Sequence, residues 1–143
     1  MSDEIFVPNM RPNQVMPPSR LIFARMGEAN IRAMLRDFYL ELEQSEIRAM
    51  FPKDVVKASE KSADFFIGML GGPPLYHQRH GNPMMRARHM PFAINANARQ
   101  IWLDCFETVL ADAEEKYDFP PEYLPGFHAF LAGFSVWMVN RAG

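Results

Sequence analysis

The side chains best suited to bind a metal or to act as a base or nucleophile are four histidines, His77, His80, His89 and His128, and the single cysteine, Cys105. A structural zinc site needs four ligands, usually in paired spacings. One cysteine and loosely spread histidines match that pattern poorly. His77 and His80, between "GGPP" and "GNP", therefore read as solvated loop residues. Cys105 falls on the apolar face of a predicted helix, where a free cysteine behaves as a small hydrophobe. No serine stands in a nucleophile elbow and no glycine loop is built to cradle phosphate. In "GGPP" the prolines follow where amide donors would be required. The acids of "ADAEEKYD" are spaced like a solvated helix face. His89, in "MRARHMPFAI" between Arg86, Arg88 and a Met-Pro-Phe, is left open as core residue, surface residue, base or metal ligand. Exposure on a loop is the plain reading of the two arginines.

The aromatic residues offer a second clue. Phe38, Tyr39, Phe51, Phe65, Phe66 and Trp102 fall on predicted buried faces, and plain core is their default reading. A phenol and an indole N–H need partners when buried, however. Tyr39 and Trp102 can converge on an inner cavity to which a loop presents His89.

Helices must position all of these. A short helix runs from Ser19 to Met26 and stops at Gly27. The next carries Ile31, Met34, Leu35, Phe38, Tyr39 and Leu42 at three- and four-residue steps, one buried stripe. "SEIRAMFP" forms a single turn opened by Ser45 and ended before Pro52. A third helix spans about 55 to 70. Residues 71 to 83 are rich in Gly and Pro and read as loop. "PMMRARHM" forms a short helix ended at Pro91. Two more long helices follow, about 95 to 117 and about 121 to 140. No strand shows period-two alternation, so the class is all-α. Residues 1–18, rich in Pro, Asn and Met, read as an extended N-terminal arm, and residues 19–143 as one domain. A long loop beside such helices is more often functional than idle.

Composition narrows the partners. A formal charge of −2 on 143 residues gives no long-range pull toward nucleic acid or an acidic membrane. One cysteine allows no intrachain disulfide, which suits a reducing compartment. The first twenty residues lack a secretory pattern, and no run of about 18 apolar residues exists to span a membrane. A cytoplasmic protein is expected.

"FY" on the second helix, "MFP", "GGPPLY", "GNPMMRARHMPFAI" and "IWLDC" together resemble the group II truncated haemoglobins. The resemblance covers roughly residues 25 to 117, with intact spacing from Gly71 through Cys105. "RARHMPF" with a tryptophan thirteen residues after its histidine is the most specific part. The resemblance implies a truncated globin-like two-on-two helical sandwich enclosing haem b (iron protoporphyrin IX). It implies His89 as the proximal iron ligand, its second ring nitrogen held by an acceptor such as a backbone carbonyl. It implies Tyr39 and Trp102 as distal donors, and Phe51 packed on the porphyrin with Phe38, Phe65 and Phe66 nearby. Arg88, Tyr76 and Lys61 become propionate partners, and Met85, Met90 and Phe92 neighbours of the proximal face. Ala58 then stands at the distal gate and Ser62 over the haem, where the alignment is one residue short. The family's glycine pair is Gly27-Glu28 here, and its Gly-His-Pro is "GNP".

The function so implied is binding of oxygen, carbon monoxide and nitric oxide at a five-coordinate-capable iron. Two distal donors should slow oxygen release, which points to nitric oxide or peroxide chemistry rather than bulk transport. A reductase is then a partner, and the chain a monomer or weak homodimer. A haem-based sensor or interaction module using the arm is the alternative. A helical protein that has lost haem is a third, against which His89, Tyr39 and Trp102 stand.

Overall fold

The computed structural model describes residues 15–142. Eight α-helices follow in chain order: α1 (Ile22–Met26), α2 (Glu28–Glu43), α3 (Val55–Met69), α4 (Leu75–His80), α5 (Met85–His89), α6 (Ala96–Leu110), α7 (Ala113–Tyr117) and α8 (Leu124–Met138). Single 3-10 turns at Arg48–Met50 and Pro121–Tyr123 link them. Helix α2 packs on α3 and α6, and α6 packs on α8, which makes a two-on-two helical sandwich. The arm expected over residues 1–18 lies outside the described residues up to position 14.

The apolar stripe of α2 buries as its spacing dictates: Ile31, Met34, Leu35, Phe38 and Leu42 are all buried. Gly27 permits the break before it, with φ of 81°. Gly71, at φ 102°, is required by space as well, because a Cβ there would lie 1.8 Å from the Arg20 carbonyl oxygen. Asp54 caps α3 by accepting from the Lys57 amide at 3.0 Å, and Asn95 caps α6 through the Ala98 amide at 2.9 Å. Phenylalanines fill the centre: Phe38 stacks on Phe106 at 4.0 Å, and Phe106 continues to Phe66 and Phe127.

Three expectations change. Residues 71–83 are not a plain loop, since Leu75–His80 is helical. Pro73 and Pro74 precede that helix, where missing amides cost nothing, and Gly81 closes it. The helix expected over 95 to 117 is two. Its chain turns at Ala111 and Asp112, so that α7 can bury Tyr117 and bond its hydroxyl to Asp37. The last helix begins at Leu124 rather than 121, after the 3-10 turn.

Candidate functional site

A cavity of about 380 Å³ opens between the two helix pairs. Each long helix contributes a wall. From α2 comes Tyr39; from α3 come Ala58, Lys61, Ser62, Phe65 and Phe66; from α6 come Ala98, Arg99 and Trp102. Phe51 closes one end, Tyr76 of α4 and Met85, Arg88 and His89 of α5 another, with Phe92 beside them.

His89 is half-buried. Its Nδ1 lies 2.6 Å from the Met85 carbonyl oxygen, an acceptor, so Nδ1 carries the proton. The neutral ring then bears its lone pair on Nε2, the form a metal binds. Burial lowers the imidazole's pKa, against a smaller opposing pull from the Met85 carbonyl, which keeps the ring neutral near pH 7. Among the described residues Nε2 has no protein partner.

The same cavity holds two donors. Burial raises the Tyr39 phenol above its ordinary pKa, with Ser62 close enough to offset part of the rise, so Tyr39 keeps its O–H. Trp102 is fixed edge-on to Phe38 at 5.4 Å and to Phe106 at 5.4 Å. Its indole N–H can only donate. Phe51 stands edge-on to Tyr39 at 5.7 Å.

The charge is one-signed. Lys61, Arg88 and Arg99 line the cavity, and no aspartate or glutamate does so among the described residues. The Tyr76 ring lies under both Lys61 Nζ, 5.9 Å from its centroid, and the Arg88 guanidinium, at 5.4 Å. An apolar slot with one free imidazole nitrogen, two neutral donors and three cations suits a flat, metal-centred group carrying negative side chains. Haem has that chemistry: iron for the imidazole, a macrocycle for the aromatic walls, propionates for the cations.

Several placements depart from expectation. Phe38 is buried in the core behind Tyr39 and Trp102, and does not line the cavity. Tyr39, the next position on α2, points about 100° away from Phe38 and reaches the cavity. His80 is no solvated loop residue: its Nε2 lies 3.1 Å from Asp64 Oδ2 and its ring 4.9 Å from that of Tyr76. His77 is exposed. Neither loop arginine is merely exposed. Arg88 donates from Nε to the Pro83 carbonyl and from Nη2 to those of His80 and Asn82. Arg86 is half-buried and donates to the carbonyls of Trp137 and Val139.

Sequence reasoning missed Ile47, Met50, Pro52 and Ile94, and with them Ala98, Arg99, Phe134, Ser135 and Met138. Arg99 was within reach of it, because a charged residue one turn before Trp102 sits on the same face of α6. It bonds to Ser135 Oγ at 3.0 Å and to the Ala132 carbonyl at 3.1 Å. Cys105 is half-buried; burial, then Glu41 and Asp104, push its thiol pKa up.

Comparison with known proteins agrees with this geometry. The family described as bacterial-like globin matches residues 22–130. The group 2 truncated hemoglobin YjbI of Bacillus subtilis is 34% identical over 89 residues, 62% of this chain and 67% of that protein. Phosphate-bound Hell's gate globin IV superposes with a TM-score of 0.83 at 32% identity, over 96% of this chain and 88% of that one. A truncated oxygen-avid haemoglobin from Bacillus subtilis superposes with a TM-score of 0.75 at 29% identity, over 82% of this chain and 98% of that one.

Fold and cavity together define a globin, a helical sandwich around a haem slot. The chain belongs to the bacterial-like globin family, among the group II truncated haemoglobins. It is accordingly a haem-binding protein for diatomic ligands. Among the described residues no helix is long and apolar enough to cross a membrane.

Proposed function

We propose that His89 Nε2 would ligate the iron of haem b, and that Tyr39 and Trp102 would donate hydrogen bonds to a bound diatomic ligand. The observation that carries this reading is the 2.6 Å contact of His89 Nδ1 with the Met85 carbonyl oxygen, which among the described residues leaves Nε2 unpartnered within the cavity. Bound haem supplies the iron that takes up the ligand and exchanges electrons with it. The protein supplies orientation, charge and exclusion of water.

Negative charge that gathers on a bound ligand is met by the O–H of Tyr39 and the N–H of Trp102. Such donors are stronger in a dry pocket than in water. Each contributes about 1–3 kcal/mol, roughly a five- to hundred-fold change in ligand retention. Lys61 and Arg88, both over the Tyr76 ring, would supply the cations that propionates need. Arg88 spends Nε and Nη2 on backbone carbonyls, which leaves Nη1 for that contact. Met85 and Phe92 flank the histidine side, and Ala58 leaves a small residue at the gate.

A protein that releases oxygen slowly is a poor carrier, and the similar Bacillus subtilis structure is of an oxygen-avid haemoglobin. The role that suits slow release is redox protection, the removal of nitric oxide or peroxide. Turnover of that kind needs electrons, and a reductase is the partner that would supply them. Stopped-flow oxygen dissociation from the wild type, Tyr39→Phe and Trp102→Leu tests the donors. Release should accelerate at least fivefold in each variant, and an unchanged rate in both removes the basis for a protective role.

A further inference from the structure

We propose that the chain's C-terminal segment, residues 137–140, is a clamp that sets the position of His89, with Asn140 and Arg86 as positioning residues. The inference rests on the reading of His89 as the iron ligand.

Helix α5 has little of its own to hold it. It is five residues long and has no side-chain cap. Isolated helices of that length do not persist in water. Met84, just before it, sits in the left-handed region at φ 39°, a conformation that costs a non-glycine residue energy. Strain of this kind survives only where surrounding structure over-determines it.

Arg88 ties the helix to the carbonyls of His80, Asn82 and Pro83 before it, and the end of α8 ties it from the other side. Asn140, 51 residues beyond His89 and fully buried, donates from Nδ2 to the carbonyl of His89 itself at 3.1 Å. Its Oδ1 accepts from the Ile94 amide at 3.0 Å, and its own amide donates to the Ile94 carbonyl at 2.9 Å. One side chain thus bridges the two ends of the "HMPFAI" turn. On the other side of the histidine, Arg86 Nη1 donates to the carbonyls of Trp137 and Val139, both at 2.7 Å, with the guanidinium over the Trp137 ring at 5.1 Å. The segment from 86 to 94 is therefore tied at both ends to the last turn of α8 and the residues after it.

Those ties reach the imidazole through the backbone. The ring is referenced to α5 by its bond to the Met85 carbonyl one turn back. Whatever fixes the peptide groups of Met85 and His89 fixes the direction and reach of Nε2. Removing the Asn140 amide leaves the Ile94 N–H unpaired and the His89 carbonyl with the Phe92 amide, at 3.0 Å, as its remaining donor, and a group so stranded seeks a new partner by moving the chain. The clamp accounts for a fully buried asparagine at the end of the described chain, where packing alone would favour an apolar residue.

The test uses the full-length ferrous, ligand-free, haem-loaded protein and the iron–histidine stretching band in its resonance Raman spectrum. Asn140→Ala should move that band to lower frequency and broaden it, and should speed haem loss to an excess of a scavenging apoglobin on the order of tenfold. Arg86→Met should shift it in the same direction. Tyr117→Phe, which breaks a bond to Asp37 far from α5, controls for lost stability and should leave the band in place. If Asn140→Ala moves the band no more than Tyr117→Phe does, the clamp is overturned. If Asn140→Ala fails to fold, Arg86→Met is read by the same criterion. His89→Ala separates the two levels. A band lost in that variant but unmoved in the other two overturns the clamp alone, whereas a band that survives His89→Ala overturns the ligand assignment and the clamp with it.

Discussion

The two sides of the cavity are built by different physics. Tyr39 and Trp102 stand on helices of 16 and 15 residues, backed by Phe38 and Phe106, which are 1% and 0% exposed. Their positions follow from close-packed aromatic rings. His89 stands on a five-residue helix with no buried residue of its own, held by side chains that bond to backbone carbonyls. Packing is unforgiving in volume and indifferent to pH. Polar ties cost less to break singly, yet each fixes a direction. The donor side is thus the stable half of the site and the histidine side the adjustable half.

The largest expected effect breaks the donor side. Phe106→Ala removes a ring that touches Phe38, Phe66, Trp102 and Phe127. Large-to-small changes at such positions cost about 4 kcal/mol, transfer and cavity terms together. That is a substantial share of the roughly 5–15 kcal/mol typical of a domain's stability. Urea unfolding of the apoprotein should show it as a lower midpoint at unchanged slope. A loss below about 1.5 kcal/mol would show that the helix pairs are not held chiefly by this aromatic cluster, and the contrast would lose one of its sides.

An intermediate effect lies at the junction of the two sides. Asp64 of α3, 4% exposed, bonds Arg32 of α2 at 2.8 Å and Arg79 and His80 of α4 at 2.9 and 3.1 Å. Burial by itself would raise the pKa of Asp64. The hydrogen bonds from Arg32 and His80 and the charges of Arg32 and Arg79 outweigh it, and hold the carboxyl below its ordinary value. The folded state therefore releases this proton more readily than the unfolded state does. The contribution is fully present above the unfolded pKa, about 4, and is lost as pH falls through the lower folded value. Asp64→Asn should cost about 2 kcal/mol at pH 7, since both arginines stay partly solvated. Stability curves of wild type and variant should converge as pH drops below about 4. Parallel curves over that range would mean that Asp64 is not the charge joining α4 to the sandwich.

The same division explains what the sequence disclosed. Long helices announce themselves by apolar period, so α2, α3 and the start of α6 were legible. The distinctive spacing of His89 and Trp102 tied the chain to a known family, which brought Tyr39 with it. Periodicity cannot tell a core position from a cavity wall, however. Phe38 and Phe134 belong to equally apolar stripes, yet only Phe134 lines the slot. Helix α4 was hidden by the glycines and prolines that flank it. The polar ties were hidden more completely. Nothing in a lone asparagine near the chain's end, or in arginines beside a histidine, says which distant carbonyl each will meet. The contacts of Arg86 and Asn140 exist only once α8 has docked.

The smallest effect sharpens the contrast by testing a polar tie on the donor side. Asp54 caps α3, and the helix it opens carries Ala58, Lys61 and Ser62 into the cavity wall. Asp54→Ala should cost about 1 kcal/mol, the worth of one lost cap. If packing governs this side, the cost is paid as fraying of the first turn. The Lys57 amide, which the Asp54 carboxylate bonds in the native state, should exchange faster with solvent. Beyond that turn Phe66 and Ile67, 3% and 0% exposed, hold α3 against the sandwich, and oxygen dissociation should not change. A changed dissociation rate would mean that the first turn of α3 communicates with the donors. The donor side would then depend, as the histidine side does, on single polar contacts at the ends of its helices.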